Sequence, residues 1–450
     1  MFPAEFSTRR RLWLQAAGLG LLGFSRSGLA TTLHAADAKQ AEPQKTRRHC
    51  LVLWMTGGPT QTDTFDMKPG HANGGEFKEV ATAAAGLKFS EHLPKLGKLA
   101  NHLAVIRSLS TKEGDHGRGT YLMRTGHQPQ GPIQYPGIGS SLSKALGSEE
   151  DAVPQNVAIA PYRAFNPQAF GPGFLGPRYS PLTVGANDSL QPPMPGTASY
   201  AEMKVDDLVP PSHVSKQEMN ERLELWKSLQ ASFLATHRGP VPVAQNTVYQ
   251  RALKLMDSRA AEAFDLTQEP SAVRDAYGRS RFGQGCLMAR RLIERGVSFV
   301  EVSLGDLAEN RIGWDTHIAN FAAVKTLSTE LDAGWGTLME ELQDRGLLAS
   351  TTILWIGEFG RTPKINMQGG RDHFPAAWSC VLAGGGIKGG QAYGQTSDDG
   401  ETVEEGKVDV GDVLATLCTA AGIDPETKNV SDQGRPIKLA EGKPIRELLA

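Results

Sequence analysis

The chain has 450 residues, 40% of them hydrophobic, with 47 basic residues against 49 acidic. So even a balance, without a basic stripe, leaves no electrostatic footprint for nucleic acid or an anionic membrane surface, and neither is an expected partner. The four cysteines, Cys50, Cys286, Cys380 and Cys418, are far apart and form no Cys-x-x-Cys pair. That spacing argues against a disulfide framework or a thiolate zinc site and for small buried filler.

The N-terminus reads as an export signal. Arg9-Arg10-Arg11 precedes the bulky pair Leu12-Trp13, a short run Ala16–Phe24 follows, and Gly28-Leu29-Ala30 offers small residues for cleavage. Adjacent arginines before a weakly apolar run indicate the twin-arginine route. The run is too short to cross a bilayer core of roughly 30 Å, so no transmembrane segment is expected in the mature chain. The expected order is a signal peptide over residues 1–35, a polar tether over 36–48 and one domain over 49–450. The mature protein is expected in the periplasm or outside the cell.

Within the domain, six short apolar runs predict buried strands: Cys50–Thr56, Leu103–Arg107, Val157–Ala160, Val297–Leu304, Thr351–Gly357 and Ser379–Leu382. A short helix is expected over Gly119–Arg124. Residues 128–211 are dense in Pro and Gly and show no helical period. They predict an ordered insertion over the functional edge. Two amphipathic helices follow, Lys216–His237, opened by Ser215 with Glu218 three residues on, and Thr247–Leu266. Together residues 128–280 form the expected insertion and helical cap. Further helices are Arg281–Arg295, Asn320–Arg345 and Asp412–Ala421, each followed closely by Gly. In the second of these Phe321, Val324, Leu327, Leu331, Trp335, Leu338 and Leu342 recur at three- and four-residue steps. Strand and helix alternate. The expected fold is therefore a three-layer α/β domain, its mainly parallel central sheet covered by helices on both faces.

In such a sheet, ligands bind outside the carboxyl ends of the strands. The loop after the first strand holds Gly57-Gly58, Asp63 and Asp66, whose carboxylates suit either a turn cap or hard-oxygen ligation. The next holds Asp115, His116 and Arg118 at a helix start, where Asp115 alone would serve as a cap. Asp315 and His317 stand two apart before the long helix, on one side of an extended chain. Glu358 leaves the fifth strand with Arg361 behind it, and Asp372-His373 precedes the sixth. Three carboxylate–imidazole pairs on one edge predict a site for one or two divalent ions, as in displacement at a phosphoryl or related centre.

At these loops the chain resembles the domain of unknown function 1501 family. The resembling stretches are Leu53 to Pro59, Asp63 to Asp66, Gly173 to Gly176, Gly313 to His317, Glu358 to Pro363 and Gly370 to His373. The resemblance implies an alkaline-phosphatase-like fold shared with sulfatases. There Asp315 and His317 correspond to the metal-binding pair before a long helix, and His373 to the last imidazole ligand. It also marks departures. Glu358-Phe359 stands where that fold carries Asp-His, the nucleophile position falls on or near His116, and no Cys-x-Pro-x-Arg motif occurs. Sulfatase chemistry through a modified Cys or Ser is therefore not expected.

The expected activity is metal-dependent hydrolysis of a phosphate or sulfate ester, on an anionic small molecule or glycan. Asp66, Asp315, His317, Glu358, Asp372 and His373 would bind zinc, manganese, calcium or magnesium. His116 would act as acid, base or nucleophile, and Arg118 or Arg361 would hold anionic oxygens. The rival reading is a binding or scaffold protein that keeps the fold without catalysis. A metal-free Ser-His-Asp hydrolase lacks the Gly-x-Ser-x-Gly elbow.

Overall fold

The structure, a computed structural model, describes residues 47–450 apart from 149–150, 152, 186–198, 204, 206–207, 209–212, 238, 257–258, 306 and 309–310. The expected signal peptide and most of the tether lie outside the described residues.

Eight strands build the central sheet: β1 His49–Met55, β2 Leu103–Leu109, β3 Asn156–Ile159, β4 Leu182–Val184, β5 Phe299–Leu304, β6 Thr351–Gly357, β7 Trp378–Gly384 and β8 Gln391–Tyr393. Their spatial order is β8-β2-β7-β6-β1-β5-β3-β4. All run parallel except β7, which pairs antiparallel with both β6 and β2. Strand β1 sits at the centre, and all seven of its residues are buried. A strand covered on both faces needs apolar side chains on both, which is why His49–Met55 reads as a continuous run.

The helices are α1 Pro94–Lys98, α2 His116–Thr125, α3 Ile138–Leu146, α4 Lys216–Thr236, α5 Pro240–Met256, α6 Ser271–Tyr277, α7 Arg281–Glu294, α8 Asn320–Asp344 and α9 Val410–Ala420. Two cores result, one on each face of the sheet. Leu51, Leu53 and Met55 of β1 pack with Cys286 and Leu287 of α7 and with Leu331, Trp335 and Leu338 of α8. The alternate residues Cys50, Val52 and Trp54 pack with Leu122 of α2, Leu142 of α3 and Val413, Leu414 and Leu417 of α9. The period-two alternation of a strand thus divides one run between two layers. All four cysteines are buried free thiols.

Departures from the sequence reading are local. Helix α3 lies inside the Pro/Gly-rich stretch where no helical period was legible, since its nine residues are too few to display one. The second cap helix runs over Pro240–Met256, and a 3-10 segment, Arg259–Phe264, follows where Thr247–Leu266 was expected to be one helix. The edge strands β4 and β8, three residues each, carry too short an apolar signal to be read. Strands β3 and β4 fall within residues 128–280, so part of that stretch belongs to the sheet. Helix α4 buries none of its side chains.

Candidate metal centre

Because β1, β2, β5 and β6 are parallel, their carboxyl ends open on one edge of the sheet. Strand β7 runs the other way, so its beginning, preceded by His373, reaches the same edge. There the loop after β5 supplies Asp315 and His317, α2 begins with His116, and Glu358 leaves β6. A two-residue ladder, Gly360–Arg361 against His373–Phe374, fixes the last pair of loops against each other.

Ligand atoms of His116, Asp315 and His373 all lie within 4.8 Å of one another. Asp315 Oδ1 is 3.3 Å from His116 Nε2, 3.3 Å from His373 Nε2 and 3.1 Å from His317 Nε2. The His317 and His373 Nε2 atoms are 3.0 Å apart. Every ring is held from behind. His116 Nδ1 meets Glu358 Oε1 at 2.8 Å, His317 Nδ1 meets Asp372 Oδ1 at 2.7 Å and His373 Nδ1 meets the Gly114 carbonyl at 2.7 Å. An ionised carboxylate or a carbonyl only accepts, so each Nδ1 carries a hydrogen, and each ring in its neutral form turns an Nε2 lone pair inward. Three such lone pairs and a carboxylate oxygen repel one another unless a cation lies among them. Nitrogen donors with one carboxylate, each backed by an outer acceptor, suit a divalent transition ion.

Buried polar atoms mark the same spot. Among the described residues His116 Nε2 has no hydrogen-bond partner, and neither has Oε2 of the fully buried Glu358. Burial disfavours the His116 imidazolium, but the Asp315 and Glu358 carboxylates beside it outweigh burial and raise the ring to about 9. Burial pushes the Asp315 carboxyl up, yet the His116 and His373 imidazoles and the Arg361 guanidinium beside it hold it well below the usual carboxylate range. The field therefore favours positive charge.

Local sequence explains the placement. Asp115 is the N-cap of α2, accepting from Arg118 N at 3.0 Å, so it points away from the cluster and sets His116 at the first helical position. Gly57 has φ +103°, and a Cβ there would stand 2.4 Å from Asp315 N, so only Gly lets these loops meet. Its N–H donates to Glu358 Oε1 at 2.8 Å. Phe165 stacks flat on His116, centroids 4.1 Å apart, and Phe359 lies 4.5 Å from the His373 ring centroid.

The other predicted residues sit elsewhere. Asp66 is occupied by Thr396 Oγ1 at 2.5 Å and Lys68 Nζ at 3.3 Å, outside the cluster. Arg118 is exposed and pairs with Glu113 at 2.7 Å. Arg361 is wholly buried and gives its hydrogen bonds to the carbonyls of Gly57, Gly58 and Arg371 and to Asp315 Oδ1 at 2.5 Å. Burial lowers its pKa from the usual arginine value, with Asp315 working against this. Glu358 and Asp372 stand behind imidazoles. Asp63 forms a buried pair with Arg371, Oδ1 to Nη2 at 2.8 Å and Oδ2 to Nε at 2.8 Å. Phe165 and the Gly114 carbonyl carried no signal in sequence, because a stacking ring in an irregular loop and a backbone oxygen look like any other.

A family model described as "Protein of unknown function (DUF1501)" matches residues 47–449. The chain belongs to this family. No curated protein matches it. Among solved structures, the PsFucS1 sulfatase from Pseudoalteromonas sp. is similar at 14% identity and TM-score 0.37, covering 84% of this chain and 68% of that one. A phosphonate monoester hydrolase from Silicibacter pomeroyi is similar at 13% identity and TM-score 0.37, covering 89% and 76%. The lipoteichoic acid synthase LtaP from Listeria monocytogenes gives 9% identity and TM-score 0.38, covering 87% and 74%.

Proposed function

We infer that this DUF1501 protein is an exported metal-dependent hydrolase of phosphate or sulfate esters, with His116, Asp315, His317 and His373 as ligands of a divalent ion. The supporting observation is the inward convergence of three Nε2 atoms on Asp315 while each Nδ1 is tied to an acceptor. An ion held there supplies Lewis acidity toward an ester oxygen. The chain's own groups do the positioning. Glu358 and Asp372 hold two rings in one tautomer, and Arg361 holds Asp315. Phe165 and Phe359 cover the inner side. The His317 and Asp372 side chains are 40% and 54% exposed, so substrate approaches past them. In this reading His116 is a ligand and not the nucleophile, and the arginines do not carry the substrate. The arginine run ahead of a short apolar stretch at the N-terminus supports export.

The test is elemental analysis of signal-free protein purified without chelator or a His-tag, beside His116→Ala and Asp315→Asn. About one equivalent of ion in the parent, lost in both variants, is expected, followed by turnover of aryl phosphate or aryl sulfate. Equal metal content in all three would overturn the site. Metal without turnover on any ester would replace the hydrolase by the binding-protein reading.

A further inference from the structure

A groove of about 1480 Å³ lies between α4, α5 and the Arg178–Tyr179 turn. Helix α4 contributes Lys216, Met219, Leu223 and Lys227, the three- and four-residue steps of a single face, so the groove follows the helix for about 16 Å. Helix α5 adds Gln250, Arg251 and Lys254 from the opposite wall. Among the described residues of the lining, basic side chains outnumber acidic ones. Its two described carboxylates are already engaged, Asp151 with Arg47 at 2.5 Å and Glu224 with Lys227 at 2.8 Å.

Arg251 is half-buried, and among the described residues its only hydrogen bond goes to the Arg178 carbonyl. Among the described residues no carboxylate pairs with it. Burial lowers its pKa, and the neighbouring Arg178 charge adds to the effect. A guanidinium stripped of water beside a second cation is stabilised by an anion in its fork. Tyr179 is the one aromatic ring of the lining, with Lys144 Nζ 5.7 Å from its centroid. Base-stacking grooves use several aromatic rings along the strand, and this one has no such strip. Instead Asn220, Asn246 and Gln250 present amides, which both donate and accept as hydroxyl groups do.

We propose that this groove binds a linear anionic oligosaccharide, with Arg251 and the flanking lysines on its sulfate, phosphate or carboxylate groups and the amides on its hydroxyls. The proposal does not rest on the metal centre. It is tested on the signal-free chain with fluorescent heparin-derived oligosaccharides of defined length, at low and at physiological salt. Lys216 and Lys227 are exposed and Lys227 makes only a surface pair with Glu224, so Lys216→Glu with Lys227→Gln is expected to leave melting temperature and metal content unchanged while weakening binding at least tenfold. Arg251→Gln should weaken it in the same direction, and raised salt should weaken the parent. Chelator should leave binding intact. Unchanged affinity in the double variant, or equal binding of uncharged dextran, would overturn the proposal. Competition by inorganic phosphate at equal molarity would reduce the groove to a point-anion site, and tighter binding of an oligonucleotide or of polyglutamate would reassign its occupant. Either result overturns it.

Discussion

Removing the charge of Glu358 while keeping its shape separates the role of an outer acceptor from that of a ligand. Glu358→Gln still accepts from Gly57 N and His116 Nδ1, so the fold should survive, and ion affinity should fall about 10- to 100-fold in a competitive chelator titration. A Glu358 that bound the ion itself would lose it altogether. Acid should act on the same atoms. The donors would take an ion only when deprotonated, and the ion-free His116 ring holds its proton up to about 9, so affinity should be greatest above that pH and fall as pH is lowered, as stepped dialysis and elemental analysis would show. At this scale the sequence was legible in part. His116, Asp315, His317 and His373 stand out because imidazoles on strand-end loops are rare in simple turns. Asp66 stands out equally and lies apart, since Thr396, which takes its carboxylate, is remote in sequence and invisible to local spacing.

The elements hold the loops to the tolerance the cluster needs. Asp63 and Arg371, both fully buried, tie the loop after β1 to the loop before β7. Asp63→Asn leaves the guanidinium without its charge partner in a dry setting, and a loss of about 3–5 kcal/mol in urea unfolding is expected. Trp335 of α8 lies wholly within the core against β1, and Trp335→Ala should cost about 3–5 kcal/mol by creating a cavity. Its side-chain period was visible in sequence. The direction of β7 was not, because an apolar run looks the same whichever way it crosses a sheet, yet that direction brings His373 to the edge that carries the cluster.

Over the whole molecule, stability should be unevenly shared. Helix α4 buries no residue, whereas β1 and β6 are buried throughout, so α4 amides should exchange with solvent orders of magnitude faster than those of the sheet. Equal protection in hydrogen exchange would mean that α4 is covered in solution. The layered α/β architecture and the family were readable before any coordinates, because buried strands and amphipathic helices announce themselves through short-range periodicity and because the loop motifs are specific. Which carboxylate faces the imidazole cluster, which stand behind an imidazole and which merely pair with an arginine depended on contacts across hundreds of residues. Side-chain type sets what a group is able to bind, but only the packed chain sets what it meets.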